Sequence, residues 1–263
     1  MISVFIVSKD RPLFLASYLS TLMQARAEIT VLYLATTFEY SAAYRSLEKI
    51  YSDVCFIRQT HTIREHMIDC MVSDANEYMI VSVDDNCYRH TDGRCFDKAV
   101  DRMDGSPDIF SYSLRVDVET DKCHIVGKPG TVEANRIGDT VFYDYRESTG
   151  HWRNTFDCSS TVYRTEDIYG LATGNMFGSI NEFETIGSRY FKPKLMAFSS
   201  DKPAMTNIHV DTWDRNQVGH LRQRVTNEQA FKLFEQGREI DIDATFAARD
   251  EQNTTHVMEL YLK

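Results

Sequence analysis

Four short apolar runs divide the first 86 residues: Ser3 to Val7, Ile29 to Leu34, Val54 to Ile57 and Tyr78 to Val83. They are continuous, without the apolar/polar alternation of a strand that has one wet face, so each reads as a strand covered on both sides. The segments between them carry apolar residues at helical spacing. Asp10 is placed to cap a helix with Leu15, Tyr18, Leu19 and Leu22 on one face, and Ser41 to cap a second with Tyr44, Leu47, Ile50 and Tyr51. Thr62-Ile63-Arg64-Glu65 fits a capping box opening a third helix that runs to about Ser73. Strands alternating with helices in this way predict an α/β fold with a doubly wound, mostly parallel sheet flanked by helices.

The rhythm then changes. Cys95 to Met103 reads as a helix, Asp108 to Val116 and Val141 to Tyr145 as strands, and 117–140 and 146–160 as loops. A late helix opens at Thr226, with Gln229 as its box partner, and stops at Gly237. No linker composition or repeat interrupts the 263 residues, so the expectation is one domain, with a first half over 1–105 and a second over 106–263 completing the same sheet. The 39 acidic against 29 basic residues give a formal charge of −10, which argues against a nucleic-acid partner. No apolar run is long enough to span a membrane. The N-terminus has neither a basic region nor a cleavage site, and the six cysteines show no metal spacing. A cytoplasmic chain is expected.

Open α/β sheets bind ligands beyond the carboxyl ends of their strands. Those positions hold Ser8, Lys9, Asp10 and Arg11 after the first strand, Thr36 and Thr37 after the second, and Arg58 after the third, with Arg64 one turn into the next helix. Asp84, Asp85 and Asn86 follow the fourth. Crowded carboxylates favour a cation, and hard divalent cations take such oxygens alongside substrate phosphates. The other reading is a solvated turn. Gly-rich phosphate loops and a GxSxG elbow are absent, which argues against P-loop, Rossmann and α/β-hydrolase chemistry.

With these residues in view, the chain resembles the GT-A glycosyltransferases, including the soluble glycan-building transferases of large algal viruses. VFIVSKDRP resembles their first strand and donor loop, and VSVDDN their DxD-type motif. HWRNTFDCSSTVYRTEDI and NEFETIG resemble acceptor-side segments, and MTNIHV a last strand that brings a metal or phosphate contact. The resemblance implies transfer of a hexosyl or pentosyl group from a UDP- or GDP-sugar to a hydroxyl on a glycan, assisted by Mn2+ or Mg2+. It assigns donor contacts to Ser8, Asp10, Arg11, Thr36, Arg64, Asp84 and Asp85, and metal contacts to Asp85, Asn86 and His209. Two departures stand out: Asn86 replaces a carboxylate, and no Asp follows the second strand.

Each assignment has a plainer counterpart. Arg64 either meets the diphosphate or lies on the helix surface beside Glu65 and Asp69. Trp152, with His151 beside it, is either an acceptor-sugar platform or core, and His209 either a ligand or a packed strand residue. Asp157 and Glu184 compete as catalytic base toward the acceptor hydroxyl. At the level of the whole chain the alternatives are a catalytically silent nucleotide- or glycan-binding protein, and a sugar nucleotidyltransferase. The Gly-free SKDRP loop disfavours the latter.

Overall fold

A computed structural model describes residues 1–73, 75–89, 94–120, 130–192, 195–208, 225–254, 256–257 and 259–263. The first half alternates as expected: β1 (Ile2–Lys9), α1 (Pro12–Leu22), β2 (Ala27–Leu34), α2 (Phe38–Ile50), β3 (Cys55–Arg58), α3 (Ile63–Ser73) and β4 (Tyr78–Val83). There follow β5 (Asn86–Tyr88), α4 (Arg94–Gly105), β6 (Ile109–Ser113), β7 (Ala134–Ile137), β8 (Thr140–Tyr143), β9 (Thr161–Arg164), α5 (Thr165–Gly174), α6 (Ile180–Tyr190) and β10 (Leu195–Ser199). The chain closes with β11 (Met205–Ile208), α7 (Asn227–Glu235), α8 (Ile242–Gln252) and β12 (His256–Val257).

The main sheet has the order β3-β2-β1-β4-β9-β6-β10-β8-β7. β1 pairs in parallel with β2 and β4, β2 with β3, and β6 with β10. β9 runs antiparallel between β4 and β6, and β8 antiparallel between β10 and β7. All strands but β8 and β9 therefore point the same way. The carboxyl ends of β1, β2, β3, β4 and β6 and the amino end of β9 share one edge, and the strand-end residues named above follow those strands.

Side-chain alternation along β1 builds the layers. Ile2, Val4 and Ile6 face Leu15, Tyr18 and Leu19 of α1, Tyr44 and Leu47 of α2, and Phe96 and Met103 of α4. Phe5 faces the opposite layer, with Met67 of α3, Leu171 of α5 and Phe183 of α6. The Thr62–Glu65 box forms: the Thr62 amide donates to the Glu65 carboxylate at 3.0 Å and the Glu65 amide to Thr62 Oγ1 at 3.2 Å. So does the Thr226–Gln229 box, and Gly237 leaves α7 at φ +70°, a conformation open to glycine.

Several expectations are corrected. Asp10 does not cap α1; the N-cap position is Arg11, which gives no side-chain cap, with Pro12 in the first turn. Thr37, not Ser41, caps α2 by accepting from the Tyr40 amide at 3.3 Å. The expected loop 117–140 contains β7, and the strand at Met205 joins a separate three-stranded sheet, β12-β11-β5. That sheet and α7 and α8 pack on the start of α1 through Leu13, Phe14, Ile208, Ala230 and Phe246. Among the described residues no helix is long and apolar enough to cross a membrane.

Candidate active site

The site begins where β1 turns into α1. Asp10 sits at φ +55°, a left-handed conformation that Asp tolerates better than most residues. The kink aims its carboxylate across to the end of β2, where it accepts from the Thr36 amide at 2.8 Å and from Thr36 Oγ1 at 2.7 Å. Asp10 thus fixes the exposed Thr36 at the rim.

The next residue, Arg11, reaches the end of β4. Its Nη1 lies 3.0 Å from Asp84 Oδ1 and its Nη2 3.3 Å from Asp85 Oδ2. Asp84 is 2% exposed, and its Oδ2 accepts from Ser8 Oγ at 2.6 Å. Because the Ser8 proton goes to Asp84, Tyr44, whose hydroxyl lies 2.6 Å from Ser8 Oγ, is the donor of that second contact. The Tyr44 oxygen in turn accepts from the Arg11 amide at 3.2 Å. Burial, followed by Asp84, pushes the Tyr44 phenol well above its ordinary pKa, so it stays protonated and keeps donating. Ser8 and Asp84 are buried and act on Arg11; the members that reach solvent are Arg11, Asp85 and Thr36.

Asn86 does not behave as a cation ligand. Its Nδ2 donates to Ser82 Oγ at 2.8 Å and to the Val83 carbonyl at 2.9 Å. Its Oδ1 accepts from Asn207 Nδ2 at 2.7 Å and Ser160 Oγ at 3.2 Å. These four contacts fill the amide, which is 1% exposed. Among the described residues no group of three or more His, Cys, Asp or Glu side chains could hold a metal ion. Among the described residues the arrangement offers a divalent cation no third ligand: Asn86 is closed, and a guanidinium already bridges the two carboxylates.

Asn207 carries the cluster onward. Its Nδ2 also lies 3.3 Å from Asp85 Oδ1, and its Oδ1 accepts from Arg115 Nη1 at 3.1 Å. Arg115 Nη2 lies 3.6 Å from Asp157 Oδ2. Asp157 holds the turn before β9, accepting from the Ser159 and Ser160 amides at 3.0 and 3.3 Å and from Thr161 Oγ1 at 2.8 Å. Glu184 comes into the same electrostatic group from α6. The Ser179 cap and the contact of Glu182 with the Gly178 amide, at 2.7 Å, keep Glu182 at the helix start. Glu184, two residues on and about 200° around the helix, turns to the other side. Burial raises the Glu184 carboxyl to about 7, Asp157 adds to the rise, and Arg115 and a hydrogen bond with Asn154 oppose it.

The register of α6 is set by its close approach to the 154–157 segment. Ser188 Oγ donates to the Phe156 carbonyl at 3.0 Å, and a Cβ on Gly187 would lie 2.2 Å from Phe156 Cδ1. Phe156 is itself wedged against Tyr163, Phe183 and Phe191. Gly187→Ala is therefore expected to cost about 1–3 kcal/mol by overpacking. Thermal unfolding would show this as a lowered Tm; an unchanged Tm would mean that α6 is not tightly seated there.

The remaining assignments are placed as follows. The Arg64 guanidinium binds the carbonyls of Ala172 at 2.9 Å, Asn175 at 2.8 Å and Thr173 at 3.0 Å, tying α3 to the end of α5. Trp152 is 2% exposed, packed against Tyr143 and Phe198, and so offers no face to a sugar. His151 belongs to the same short turn, Gly150–Arg153, with its side chain outside the described residues, and His209 lies outside them altogether. Arg115 and Asn207 were not singled out from sequence. Extending the β6 strand to Val116 hid Arg115 inside it; the observed end at Ser113 makes Arg115 a strand-end residue.

No protein-family model matches the chain, and no curated protein matches it in sequence. Solved structures do match its fold. TarS 1–349 of S. aureus aligns with TM-score 0.50 and 12% identity over 78% of this chain and 59% of that one. A longer TarS structure aligns with TM-score 0.51 and 13% identity over 78% and 36%. TarS 1–349 in complex with UDP aligns with TM-score 0.50 and 11% identity. A mannosyltransferase from Pyrobaculum calidifontis, in complex with GDP-mannose and Mn2+, aligns at 0.46 and 9% over 77% and 55%. The chain spans less than two thirds of the length of these structures. What the likeness to TarS establishes is the fold: a GT-A-like α/β architecture.

Proposed function

We propose that the chain is a glycosyltransferase that moves a sugar from a nucleotide diphosphate donor to a hydroxyl acceptor. The observation that carries this reading is the pairing of two unlike groups on one strand edge. At the ends of β1 and β4, Arg11 and Asp85 reach solvent together as an ion pair; beyond the β9 turn, Glu184 shares an electrostatic group with Asp157 and Arg115, in which burial raises its carboxyl to about 7. The first pair suits a diphosphate and sugar hydroxyls, and the second suits proton abstraction near neutral pH.

In this reading Thr36 lies at the nucleotide end of the donor and Arg11 meets the phosphoryl oxygens. Asp85 accepts from sugar hydroxyls. Glu184 takes the proton of the acceptor hydroxyl as its oxygen forms a bond to the anomeric carbon. The bond from that carbon to the diphosphate oxygen breaks, and its electron pair leaves with the nucleotide, whose charge Arg11 stabilises. Asp157 orients the turn and raises the base.

A donor-hydrolysis panel tests the reading without a known acceptor. UDP- and GDP-sugars are incubated with the protein in EDTA and in Mn2+, and released nucleotide is measured. Release from one donor is expected, with Asp85→Ala reducing it by about 10²-fold, as removal of a positioning contact does. No release, together with no shift in Tm from UDP or GDP, would overturn the donor site. A Tm shift without release would favour a silent binding protein.

A further inference from the structure

Resting on that donor-site reading, we propose that Arg11 is the resident counter-cation of the site and that nucleotide binding requires no divalent metal ion. Arg11 bridges the two carboxylates that a cation would neutralise, at 3.0 Å from Asp84 Oδ1 and 3.3 Å from Asp85 Oδ2. It is held there from other directions as well. Its guanidinium carbon lies 4.6 Å from the centroid of the Phe14 ring, its backbone amide is fixed by Tyr44, and Ser8 fixes Asp84. The position is built in advance of any ligand. Asn86, at the third place of the motif, is closed by four hydrogen bonds.

A metal ion on Asp85 would have to expel Arg11, leaving a buried Asp84 with its ion pair broken. That is the costly way to disturb a buried pair. A diphosphate instead meets a guanidinium whose planar fork suits phosphoryl oxygens, on a side chain that is 15% exposed. Asp85 is then left to sugar hydroxyls.

Two measurements test this: calorimetric UDP and GDP binding in EDTA and in Mn2+, and titration of Mn2+ followed by electron paramagnetic resonance. For the unaltered protein, nucleotide affinity is expected to be the same in EDTA and Mn2+, and added Mn2+ to stay in solution. Arg11→Ala is expected to weaken nucleotide binding in EDTA by roughly ten- to hundredfold, the worth of a charge-assisted contact. It also uncovers Asp84 and Asp85, so this variant is expected to capture Mn2+. Arg11→Lys, which keeps the charge without the fork, should lose less affinity and serves as the check that folding is intact.

Capture of one Mn2+ by the unaltered protein, abolished by Asp85→Ala, would overturn the proposal. So would a gain in nucleotide affinity of about tenfold on adding Mn2+. Either result leaves the transferase reading standing. Failure of both nucleotides to bind in every condition would overturn the transferase reading and this assignment together.

Discussion

Replacing Glu184 by Gln is expected to slow sugar transfer by about 10²–10⁴-fold, the range general-base catalysis contributes, while UDP or GDP binding stays unchanged. Gln keeps the shape and loses the ability to take a proton. The pH dependence sharpens the test. Burial first, and Asp157 second, raise the Glu184 carboxyl from 4.5 to about 7, so kcat/KM for the unaltered protein should climb with pH and level off above about 7. Stability should move the other way. The folded state holds this proton more tightly than the unfolded chain, so the contribution is complete below about 4.5 and is lost as pH rises to about 7. Glu184→Gln should remove both slopes. Arg115 favours the charged form, so Arg115→Ala should shift the activity limb to higher pH. A Glu184→Gln variant retaining more than about a tenth of the activity would show that the base lies elsewhere.

The donor half was legible because its signals are local. The apolar runs of β1 to β4 are continuous, the Thr62–Glu65 box lies within four residues, and the strand-end rule led directly to Asp10, Arg11, Asp84 and Asp85. What these residues do to one another was not legible. Asp10 looked like a helix cap, yet it binds Thr36 across 26 positions of sequence, and only the parallel pairing of β1 with β2 makes that contact. Asn86 looked like a weakened metal ligand, because its partners Ser160 and Asn207 lie 74 and 121 positions away. Arg64 and Trp152 carried residue types that suit phosphate and sugar, but type does not report burial. The second half was harder because β7 and β9 are strands of four residues, too short for periodicity to register, and β9 pairs antiparallel with the distant β4 and β6.

Arg249→Ala is expected to destabilise the fold by about 3–5 kcal/mol, the cost of removing one partner from a buried ion pair. For a chain of this size that lowers Tm by roughly 6–12 °C. Arg249 is 1% exposed on α8, with Nη1 3.1 Å from Asp117 Oδ2 and Nη2 2.7 Å from Thr120 Oγ1. Asp117 is 5% exposed, and its other oxygen accepts from the Glu119 amide at 3.1 Å and Thr120 Oγ1 at 2.7 Å. Truncating Arg249 leaves that carboxylate buried without its counter-charge. Replacing both charges should therefore hurt less than the single change. Asp117→Asn with Arg249→Met is expected to recover much of the lost Tm, as paired removal of buried charges does elsewhere. A double variant as unstable as Arg249→Ala would mean that packing, not charge, fixes α8. The pair also bears on chemistry. Arg249 Nη2 lies 3.4 Å from the Arg115 carbonyl, so α8 braces the segment from which Arg115 reaches Asp157 and Asn207. Below its Tm, Arg249→Ala should therefore also loosen Arg115 and shift the activity limb of Glu184 upward, as Arg115→Ala does. The double variant restores the charge balance but not this brace, so it should recover Tm more fully than it recovers the pH profile.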